Sequence, residues 1–297
     1  MKYRKLGTTD LNLSVIGVGT WQFGGEWGKL YTQPEVDAIL DAAGESGINL
    51  VDTAECYGDH LSEKHIGDYL SRHDRSKWIV ATKFGHHFNS FMNRTWQSSV
   101  KDVEKQLEDS LRALRIDVID LYQYHSGTDE EFQKQELWDF LAKQKKLGKI
   151  KHIGISIAAT GGPLQAQKAS LTGAVALQVM YNRLVRRAEQ DFLPSAREQK
   201  LGVLARVPLA SGYLSGKFTG PVQFPKNDVR STFDEPKLQA WLAELELIRK
   251  NELPAGVPMA QWALAWCLRD PIVTTVIPGC KDVAQTKANA AAADLVK

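Results

Sequence analysis

Short apolar runs alternate with longer amphipathic segments along nearly the whole chain. Eight of the runs have the length and the β-branched or aromatic content typical of strands. In chain order they are "SVIGVGTW", "NLVDTAE", "WIVATKF", "DVIDLYQYH", "HIGISI", "AVALQVMYN", "GVLARVPL" and "TTVIPG". Segments with helical periodicity lie between them, among them "QPEVDAILDAAGES", "VEKQLEDSLRALR", "QELWDFLAKQKKLGK" and, at the end, "VAQTKANAAAADL". This alternation predicts parallel βαβ units.

Eight such units predict an α/β protein that closes into a (β/α)8 TIM barrel. The leading segment "MKYRKLGTTDLNL" predicts an N-terminal β-hairpin whose turn is Gly7–Asp10. An open doubly wound sheet is the competing fold. It requires a GxGxxG turn after its first strand, whereas "GVGTWQ" has Gln22 at the third glycine position. No break in composition divides the chain, so residues 1–297 are expected to form a single domain.

Polar residues collect where the predicted strands end. Asp52 ends the second strand, Lys83 the third and His125 the fourth. Ser156 ends the fifth strand, and Gln178 lies late in the sixth. Strand alternation places these side chains on the same faces as apolar neighbours, which are expected to face the barrel interior. Active sites of this fold lie at the C-terminal ends of the strands. The sequence therefore predicts a site there.

A lysine inside a barrel requires an opposite charge, because an isolated buried ammonium loses several kcal/mol of hydration. Asp52, one strand away from Lys83, can supply that charge. A purely structural ion pair is the alternative interpretation. Tyr57 favours a functional role for this ion pair, because it follows Asp52 on the loop above the strand. A neighbouring ammonium is expected to lower the pKa of the Tyr57 hydroxyl. Such a tyrosine can donate a proton.

The motifs together resemble those of the aldo-keto reductase family over nearly the whole chain. They include "GVGTW", "VDTAECYG", "ATK", "SLRALRIDVIDLYQYH", "GKIKHIGIS", "PLASGYLSGKF" and "VIPGC". The resemblance implies catalytic roles for Asp52, Tyr57, Lys83 and His125. It implies transfer of hydride from a reduced nicotinamide to an aldehyde or ketone, with Tyr57 as the proton donor and no metal. For His125 the alternative is an ordinary core histidine.

The resemblance also implies a nicotinamide cofactor held by strand ends and two loops. Its expected contacts are Gly19, Thr20, Trp21, Ser156, Gln178, Arg206, Pro208, Leu209, Ser211, Gly212, Leu214, Gly216, Lys217, Gly279, Lys281, Gln285 and Asn289. The loop "PLASGYLSGKF" would hold the pyrophosphate, with Lys217 adding charge. Lys281 and Gln285 would lie near the ribose phosphate and Asn289 near the adenine, which favours NADPH, with NADH as a second option. Without the resemblance, these segments read as a glycine turn and a helix start.

Two residues depart from the family pattern. Ile157 follows Ser156 where many relatives have an asparagine that holds the nicotinamide amide, so Gln178 is expected to carry more of that contact. Arg206 replaces an aromatic residue that stacks on the nicotinamide. The adjacent His86 and His87 are interpreted as loop residues near the pocket mouth. The segment "FTGPVQFPKNDVRSTFDE" is expected to cover the pyrophosphate as a mobile lid.

The composition of the chain limits the classes of partner that we expect it to bind. The chain has 297 residues, 43% of them hydrophobic, a net charge of +2 and three cysteines at scattered positions. We therefore expect small neutral partners, no nucleic acid, no membrane and a cytoplasmic location. The resemblance implies that the partner is a small-molecule carbonyl substrate. Aldehydes, ketones, sugars and quinones all remain open. A metal-dependent hydrolase would show an HxH pair on an early strand, and the chain has none. A noncatalytic nicotinamide-binding regulatory subunit on the same fold is the other alternative.

Overall fold

The computed structural model describes residues 1–220 and 222–296. The strands are β1 (Tyr3–Lys5), β2 (Asn12–Ser14), β3 (Val18–Gly19), β4 (Leu50–Asp52), β5 (Ile79–Phe84), β6 (His86–Ser90), β7 (Asn93–Trp96), β8 (Ile119–His125), β9 (Ile150–Ser156), β10 (Ala174–Met180), β11 (Gly202–Arg206) and β12 (Val273–Ile277). The α-helices are α1 (Gln33–Glu45), α2 (Leu61–Leu70), α3 (Val100–Leu114), α4 (Asp129–Phe132), α5 (Gln135–Lys146), α6 (Leu164–Gln167), α7 (Ala188–Asp191), α8 (Leu193–Glu198), α9 (Glu235–Asn251), α10 (Met259–Leu268) and α11 (Val283–Ala290).

Eight parallel strands form the central sheet, in the order β3-β4-β5-β8-β9-β10-β11-β12. Two further parallel bridges, Ile16 with Val276 and Gly19 with Gly279, join the first strand to the last. These bridges close the sheet, so the predicted (β/α)8 barrel is confirmed. Each of the eight apolar runs quoted above supplies one barrel strand.

The N-terminal hairpin closes the bottom of the barrel. Strands β1 and β2 pair in antiparallel register, which confirms the predicted hairpin. Leu6 and Leu13 of this hairpin are fully buried and pack against interior side chains such as Leu121 and Leu204. Gly7 has φ +54°, and a Cβ there would lie 2.7 Å from the backbone nitrogen of Gly202. The hairpin therefore presses directly on the strand ends opposite the predicted site.

Helices surround the barrel, and α1 and α3 begin at residues that cap a helix N-terminus. At the start of α1, Glu35 accepts a hydrogen bond from the Thr32 backbone N–H at 2.9 Å and completes a capping box. Ser99 caps α3 by accepting from the backbone N–H of Asp102. The last predicted helix is shorter than expected, because α11 ends at Ala290 and a 3₁₀ helix follows over Ala291–Leu295.

One element differs from the sequence interpretation. His86 and His87 lie on a strand, not a loop, since β6 pairs with β7 in an antiparallel hairpin beside the barrel mouth. The two histidines alternate, so His86 is half-buried and His87 is exposed. Alternation in "HHFNSFMNRTW" is weak because both faces carry aromatic and polar residues. That mixture hid the hairpin from the sequence pattern.

The segment expected to cover the pyrophosphate contains a 3₁₀ helix at Val229–Thr232. Its Asp228 pairs with Trp27 through a backbone bridge, and Val229 donates its N–H to the carbonyl oxygen of Glu26. Pro221, which belongs to this segment, lies outside the described residues. Among residues 1–220 and 222–296, no helix has both the length and the apolar content needed to span a membrane.

Candidate active site

A cavity of about 970 Å³ opens at the C-terminal ends of the barrel strands. This volume is at the upper end of the range for small-molecule sites and is large enough for a dinucleotide together with a small substrate. Predicted residues on its wall are Gly19, Thr20, Trp21, Asp52, Tyr57, His125, Gln178, Arg206, Pro208, Leu209, Ser211, Gly212, Lys217, Gly279, Lys281 and Gln285. The structure thus brings most of the predicted site residues to one place.

Lys83, Asp52 and Tyr57 form a connected cluster beneath this wall. The Lys83 ammonium donates to Asp52 Oδ1 at 2.6 Å, to the Thr53 carbonyl oxygen at 2.7 Å and to the Tyr57 hydroxyl at 3.3 Å. Lys83 is fully buried and Asp52 is 2% exposed. All three donors of the ammonium therefore have partners, which is the condition for burying such a charge.

The position of Tyr57 is fixed by the loop that follows β4. Gly58 has φ +67°, and a Cβ there would lie 2.4 Å from the carbonyl oxygen of Gly24. The loop is therefore pressed against the short 3₁₀ helix Trp21–Gly24 at a point where only glycine fits. The ring of Trp21 stacks on that of Tyr57 with centroids 6.0 Å apart.

The electrostatics of the cluster differ in one respect from the sequence expectation. Burial disfavours the charged form of Lys83, but Asp52 and Tyr57 outweigh it and hold the pKa of Lys83 above its usual value. Burial also raises the pKa of Tyr57 to about 12, although Lys83 opposes this rise. The expectation of a net lowered tyrosine pKa is therefore wrong, because desolvation outweighs the nearby ammonium.

Asp52 is held by two glutamines as well as by Lys83. Its Oδ2 accepts from Gln178 Nε2 at 2.6 Å and from Gln123 Nε2 at 3.1 Å. Ser156 lies behind Gln178, with its hydroxyl 3.4 Å from Gln178 Oε1. The glutamines thus fix the direction of the carboxylate. Gln123 lies two residues before His125 on β8, and its bond to Asp52 could not be deduced from spacing.

His125 ends β8 on the cavity wall, and its ring lies edge-on to that of Tyr57 with centroids 6.2 Å apart. Burial lowers the pKa of His125 well below its usual value, and His86 and Lys83 add to the effect. Burial likewise lowers the pKa of His86 to about 4. Both imidazoles are therefore neutral at neutral pH. His125 thus lines the cavity with an uncharged ring.

The loop after β11 has an unusual backbone. Val207, Ala210 and Ser211 all have positive φ, at 55°, 47° and 56°, and Gly212 follows at 97°. Left-handed conformations are costly for residues with a Cβ, above all for a β-branched one, and they concentrate at functional sites. Successive backbone turns of this kind direct N–H groups into a concavity that suits anions.

Two lysines meet at the open end of the cavity. Lys281 is close enough to Lys217 to lower the pKa of Lys217, which is the effect of one ammonium on another. Both residues lie on the cavity wall. Adjacent ammonium groups are typical of an anion site. Asp282 offsets part of the charge, since its Oδ2 is 3.9 Å from the Lys281 ammonium.

Other predicted cofactor residues support the backbone behind the wall. Gln285 Oε1 accepts from the backbone N–H of Lys281 at 2.8 Å, while the side chain still lines the cavity. Asn289 is 2% exposed and donates to the Gly279 carbonyl oxygen at 3.2 Å. The structure does not place Ser156, Leu214, Gly216 or Asn289 on the cavity wall.

Arg206 occupies the wall between β10 and β12. Its NH2 donates to the carbonyl oxygen of Ile157 at 3.0 Å, and its Nε has no hydrogen-bond partner in the described residues. Burial lowers the pKa of this guanidinium, and Tyr57 and Asp52 oppose the change. A buried guanidinium with an unused donor suits a site that receives a polar ligand, so the residues present fit a nicotinamide cofactor.

Several residues on the cavity wall or directly behind it were missed in the sequence; Arg94 and Cys56 lie on the wall. Glu26 accepts from the indole N–H of Trp21 at 2.7 Å and pairs with Arg94, which lies on the unpredicted β7. Glu55 and Cys56 flank the tyrosine loop, and together with His125 they bring three donor atoms within 4.8 Å of one another. Burial raises the pKa of Glu55 to about 8 and raises the pKa of the Cys56 thiol well above its usual value. Near neutral pH this trio is therefore a cluster of uncharged groups.

The buried Lys83 thus contacts a carboxylate and a tyrosine hydroxyl beside a large cavity, an arrangement that suits proton transfer to a bound small molecule. Comparison with known proteins shows to which family the chain is similar. The family model described as "Aldo/keto reductase family" matches residues 15–297.

Individual relatives cover nearly the whole chain. "Uncharacterized oxidoreductase YqkF" of Bacillus subtilis is 32% identical over 99% of this chain and 92% of its own. "Aldo-keto reductase yakc [NADP(+)]" of Schizosaccharomyces pombe is 29% identical over 96% of this chain and 85% of its own. The holo form of the aldo-keto reductase AKR11C1 from Bacillus halodurans superposes with a TM-score of 0.83 at 31% identity, over 98% of this chain and 90% of its own.

The chain belongs to the aldo/keto reductase family. It is an NAD(P)H-dependent oxidoreductase, and its substrates are small molecules that carry a carbonyl group.

Proposed function

We propose that this protein reduces an aldehyde or ketone with NADPH and uses Tyr57 as the proton donor. The observation that carries the proposal is the contact of the buried Lys83 ammonium with both Asp52 and the Tyr57 hydroxyl, at 2.6 and 3.3 Å. A structural ion pair alone has no need of a tyrosine hydroxyl at the edge of a large cavity. Lys83 and Asp52 therefore act through Tyr57.

The bound cofactor supplies a hydride to the carbonyl carbon. Residues of the chain neutralise the negative charge that develops on the carbonyl oxygen. Tyr57 transfers its hydroxyl proton to that oxygen, and the Lys83 ammonium stabilises the phenolate left behind. This stabilisation matters because burial alone makes the Tyr57 hydroxyl a weak acid, with a pKa of about 12. Asp52 keeps Lys83 charged and in place, and a proton from solvent restores Tyr57.

His125 is proposed to hold the carbonyl oxygen by a hydrogen bond from its neutral ring. A neutral imidazole donates one hydrogen bond without adding a proton donor that competes with Tyr57. The Trp21, Trp27 and Phe224 rings line the cavity around it and suit the apolar part of a small carbonyl compound. Hydride transfer to one face of the carbonyl follows from this positioning.

The cofactor is proposed to lie along the loop after β11 and the start of α11, in contact with the wall residues named above. Lys217 and Lys281 together offer two ammonium groups to the 2′-phosphate that distinguishes NADPH from NADH. The related yakc protein of Schizosaccharomyces pombe bears NADP(+) in its name. Gln285 and the Lys281 backbone are joined by a hydrogen bond, so the turn that presents Lys281 is fixed in advance.

The test is the rate of NADPH oxidation with a panel of aldehydes and ketones, in the wild type and in Tyr57→Phe. Loss of the proton donor should lower kcat by about 10²-fold or more, while NADPH binding changes little. Tyr122→Phe is the matched control, because this fully buried tyrosine lies on the same strand as His125 and its hydroxyl has no partner in the described chain. It should retain wild-type turnover.

Tyr57→Phe with wild-type turnover would contradict the proton-donor assignment. If the wild type bound NADPH tightly yet oxidised it with none of the carbonyl compounds, the protein would instead be the noncatalytic nicotinamide-binding subunit. Measuring binding by fluorescence alongside turnover separates these two outcomes.

A further inference from the structure

Cys56 and His125 are in contact, and the proposed reaction leaves this contact without a role. The sulfur of Cys56 lies 3.8 Å from Nδ1 of the His125 ring. Cys56 directly precedes Tyr57 in the chain, is 1% exposed and lines the cavity. In the described part of the chain, this sulfur is the only hydrogen-bond partner of Nδ1, and a carboxyl oxygen of Glu55 lies within 4.8 Å of the sulfur and of a ring nitrogen. The ring has its other nitrogen, Nε2, available for a bound ligand.

Both groups are uncharged at neutral pH. Burial raises the pKa of the Cys56 thiol far above its usual value, although Arg94 opposes the rise, so the sulfur keeps its hydrogen. Burial lowers the pKa of His125, and the neighbouring His86, Lys83, Arg206 and Arg94 lower it further. A thiol therefore faces a neutral imidazole. A neutral imidazole carries one N–H, on either Nδ1 or Nε2.

The two tautomers of His125 would interact with Cys56 in opposite directions. If Nε2 carries the hydrogen, Nδ1 is a bare acceptor and can receive the S–H of Cys56. If Nδ1 carries the hydrogen, it must donate to sulfur, which is a weak acceptor, whereas imidazole nitrogen is a good one.

The charge beside Cys56 favours the first arrangement. Arg94 donates to the Cys56 carbonyl oxygen at 3.3 Å, which places a guanidinium beside this residue. The guanidinium also acts on the thiol, because it opposes the rise that burial causes in the pKa of Cys56. Since a guanidinium can only donate, it favours the orientation in which the sulfur lone pairs face Arg94 and the S–H faces the ring.

We propose that Cys56 is a positioning residue that holds His125 in the tautomer with hydrogen on Nε2. This inference rests on the proposed carbonyl reduction for its consequence. A carbonyl oxygen in the cavity then meets an N–H donor, whereas the other tautomer would present a bare nitrogen lone pair and repel it. Cys56 acts through His125 and does not itself touch the substrate.

The tautomer can be read directly in the protein without cofactor or substrate. Two-bond nitrogen–proton correlation spectra of the ¹⁵N-histidine-labelled chain distinguish a protonated from an unprotonated ring nitrogen. His125→Asn identifies the His125 signals among those of the seven histidines. The expected result is an unprotonated Nδ1 and a protonated Nε2 near neutral pH. A protonated Nδ1 in the wild type would overturn the proposal.

Cys56→Val tests the cause, because valine fills the volume but has no hydrogen to donate. We expect both tautomers to appear, with kcat for carbonyl reduction reduced about 3- to 10-fold, the range of one lost hydrogen bond, and with unchanged NADPH affinity. Cys267→Val is the matched control, since Cys267 is a fully buried thiol that bonds the Tyr181 carbonyl oxygen instead. It should leave the His125 spectrum unchanged.

An unchanged tautomer in Cys56→Val would remove Cys56 from this role. The spectra do not depend on turnover, so this inference and the proton-donor assignment to Tyr57 can fail separately. If Cys56→Val did not fold, the wild-type spectrum alone would still decide which nitrogen is protonated.

Discussion

At the scale of single residues, the three hydrogen bonds of Lys83 are unequal. The contacts with Asp52 and Thr53 are 2.6 and 2.7 Å, whereas the contact with the Tyr57 hydroxyl is 3.3 Å. The two short bonds fix the ammonium and keep it charged. The longer one is the bond that can shorten when the tyrosine oxygen becomes negative, because charge-assisted hydrogen bonds are shorter than neutral ones. Burial raises the pKa of Tyr57 to about 12, and Lys83 opposes that rise by stabilising the phenolate.

We expect cofactor choice to depend on Lys281. Lys281→Ala should weaken NADPH binding about 5-fold and leave NADH binding unchanged, because a partly exposed ion pair contributes about 1 kcal/mol. Titration of both reduced cofactors by fluorescence measures the two affinities. Lys287→Ala is the control, since its side chain is similarly exposed, at 57% against 53%, and pairs with Glu45 away from the cavity. Equal losses for both cofactors in Lys281→Ala would place the 2′-phosphate elsewhere.

Glu55 should make stability depend on pH. Its pKa rises from an ordinary value of 4.5 to about 8 in the folded protein, mainly through burial. Between these values the folded state holds a proton that the unfolded state has lost. The stability from this group is therefore full below about pH 4.5 and is lost as the pH rises through about 8.

Urea unfolding of the wild type and Glu55→Gln across this range measures the effect. The wild type should lose stability relative to the variant as the pH increases, because glutamine keeps the oxygen that accepts from the His86 backbone but does not ionise. His86 acts in the opposite sense, losing stability as the pH falls from 6.5 toward about 4, and the comparison at equal pH cancels it. Parallel curves would show that Glu55 is ionised in the folded protein.

At the scale of elements, the loop between β4 and α2 carries Tyr57, the proposed proton donor, and its conformation is expected to depend on Gly58. Gly58→Ala should destabilise the protein by about 2–4 kcal/mol and lower kcat, because it combines a left-handed backbone with a clash against Gly24. Gly173→Ala is the matched control: φ is +77° there, but nothing lies within 4 Å of the added carbon. It should cost about 1 kcal/mol and leave kcat unchanged.

Thermal unfolding and turnover measured on both glycine variants separate strain from clash. If Gly58→Ala cost no more than Gly173→Ala, the loop would be able to move away from Gly24 freely. The position of Tyr57 would then not depend on this close approach.

The barrel strands could be predicted from the sequence because each is a short apolar run that alternates with a longer amphipathic segment. The hairpin β6–β7 could not, because it borders the cavity and has no face that is consistently apolar. Asp52, Lys83 and His125 followed from strand-end position, and Tyr57 from its distance along the loop. Contacts between distant segments, such as Gln178 with Asp52 or Cys56 with His125, depend on barrel closure, which spacing does not reveal. The pKa of Tyr57 depends on burial, which the sequence could not measure.

At the scale of the whole molecule, the two ends of the barrel have different roles. The hairpin end is packed with leucines, and the opposite end holds the cavity. Leu13→Ala should therefore lower the free energy of unfolding by about 2–5 kcal/mol while leaving kcat and KM unchanged in the folded protein. Leu171→Ala, which replaces a leucine that is 79% exposed, is the control and should change stability little.

Urea unfolding and steady-state kinetics on the two leucine variants provide the measurements. A change in KM in Leu13→Ala would show that the hairpin end affects the cavity. We also propose that residues 1–297 act as one domain, in which case unfolding followed by tryptophan fluorescence and by circular dichroism should give coincident transitions.

The bridge between Ile16 and Val276 has a consequence for how the protein is made. A ribosome must synthesise some 260 residues after Ile16 before the partner that completes the barrel exists. Until then the hairpin leucines and the early strands have no closed interior in which to pack. During translation they are open to chaperones and to neighbouring nascent chains, and the last strand ends that exposure.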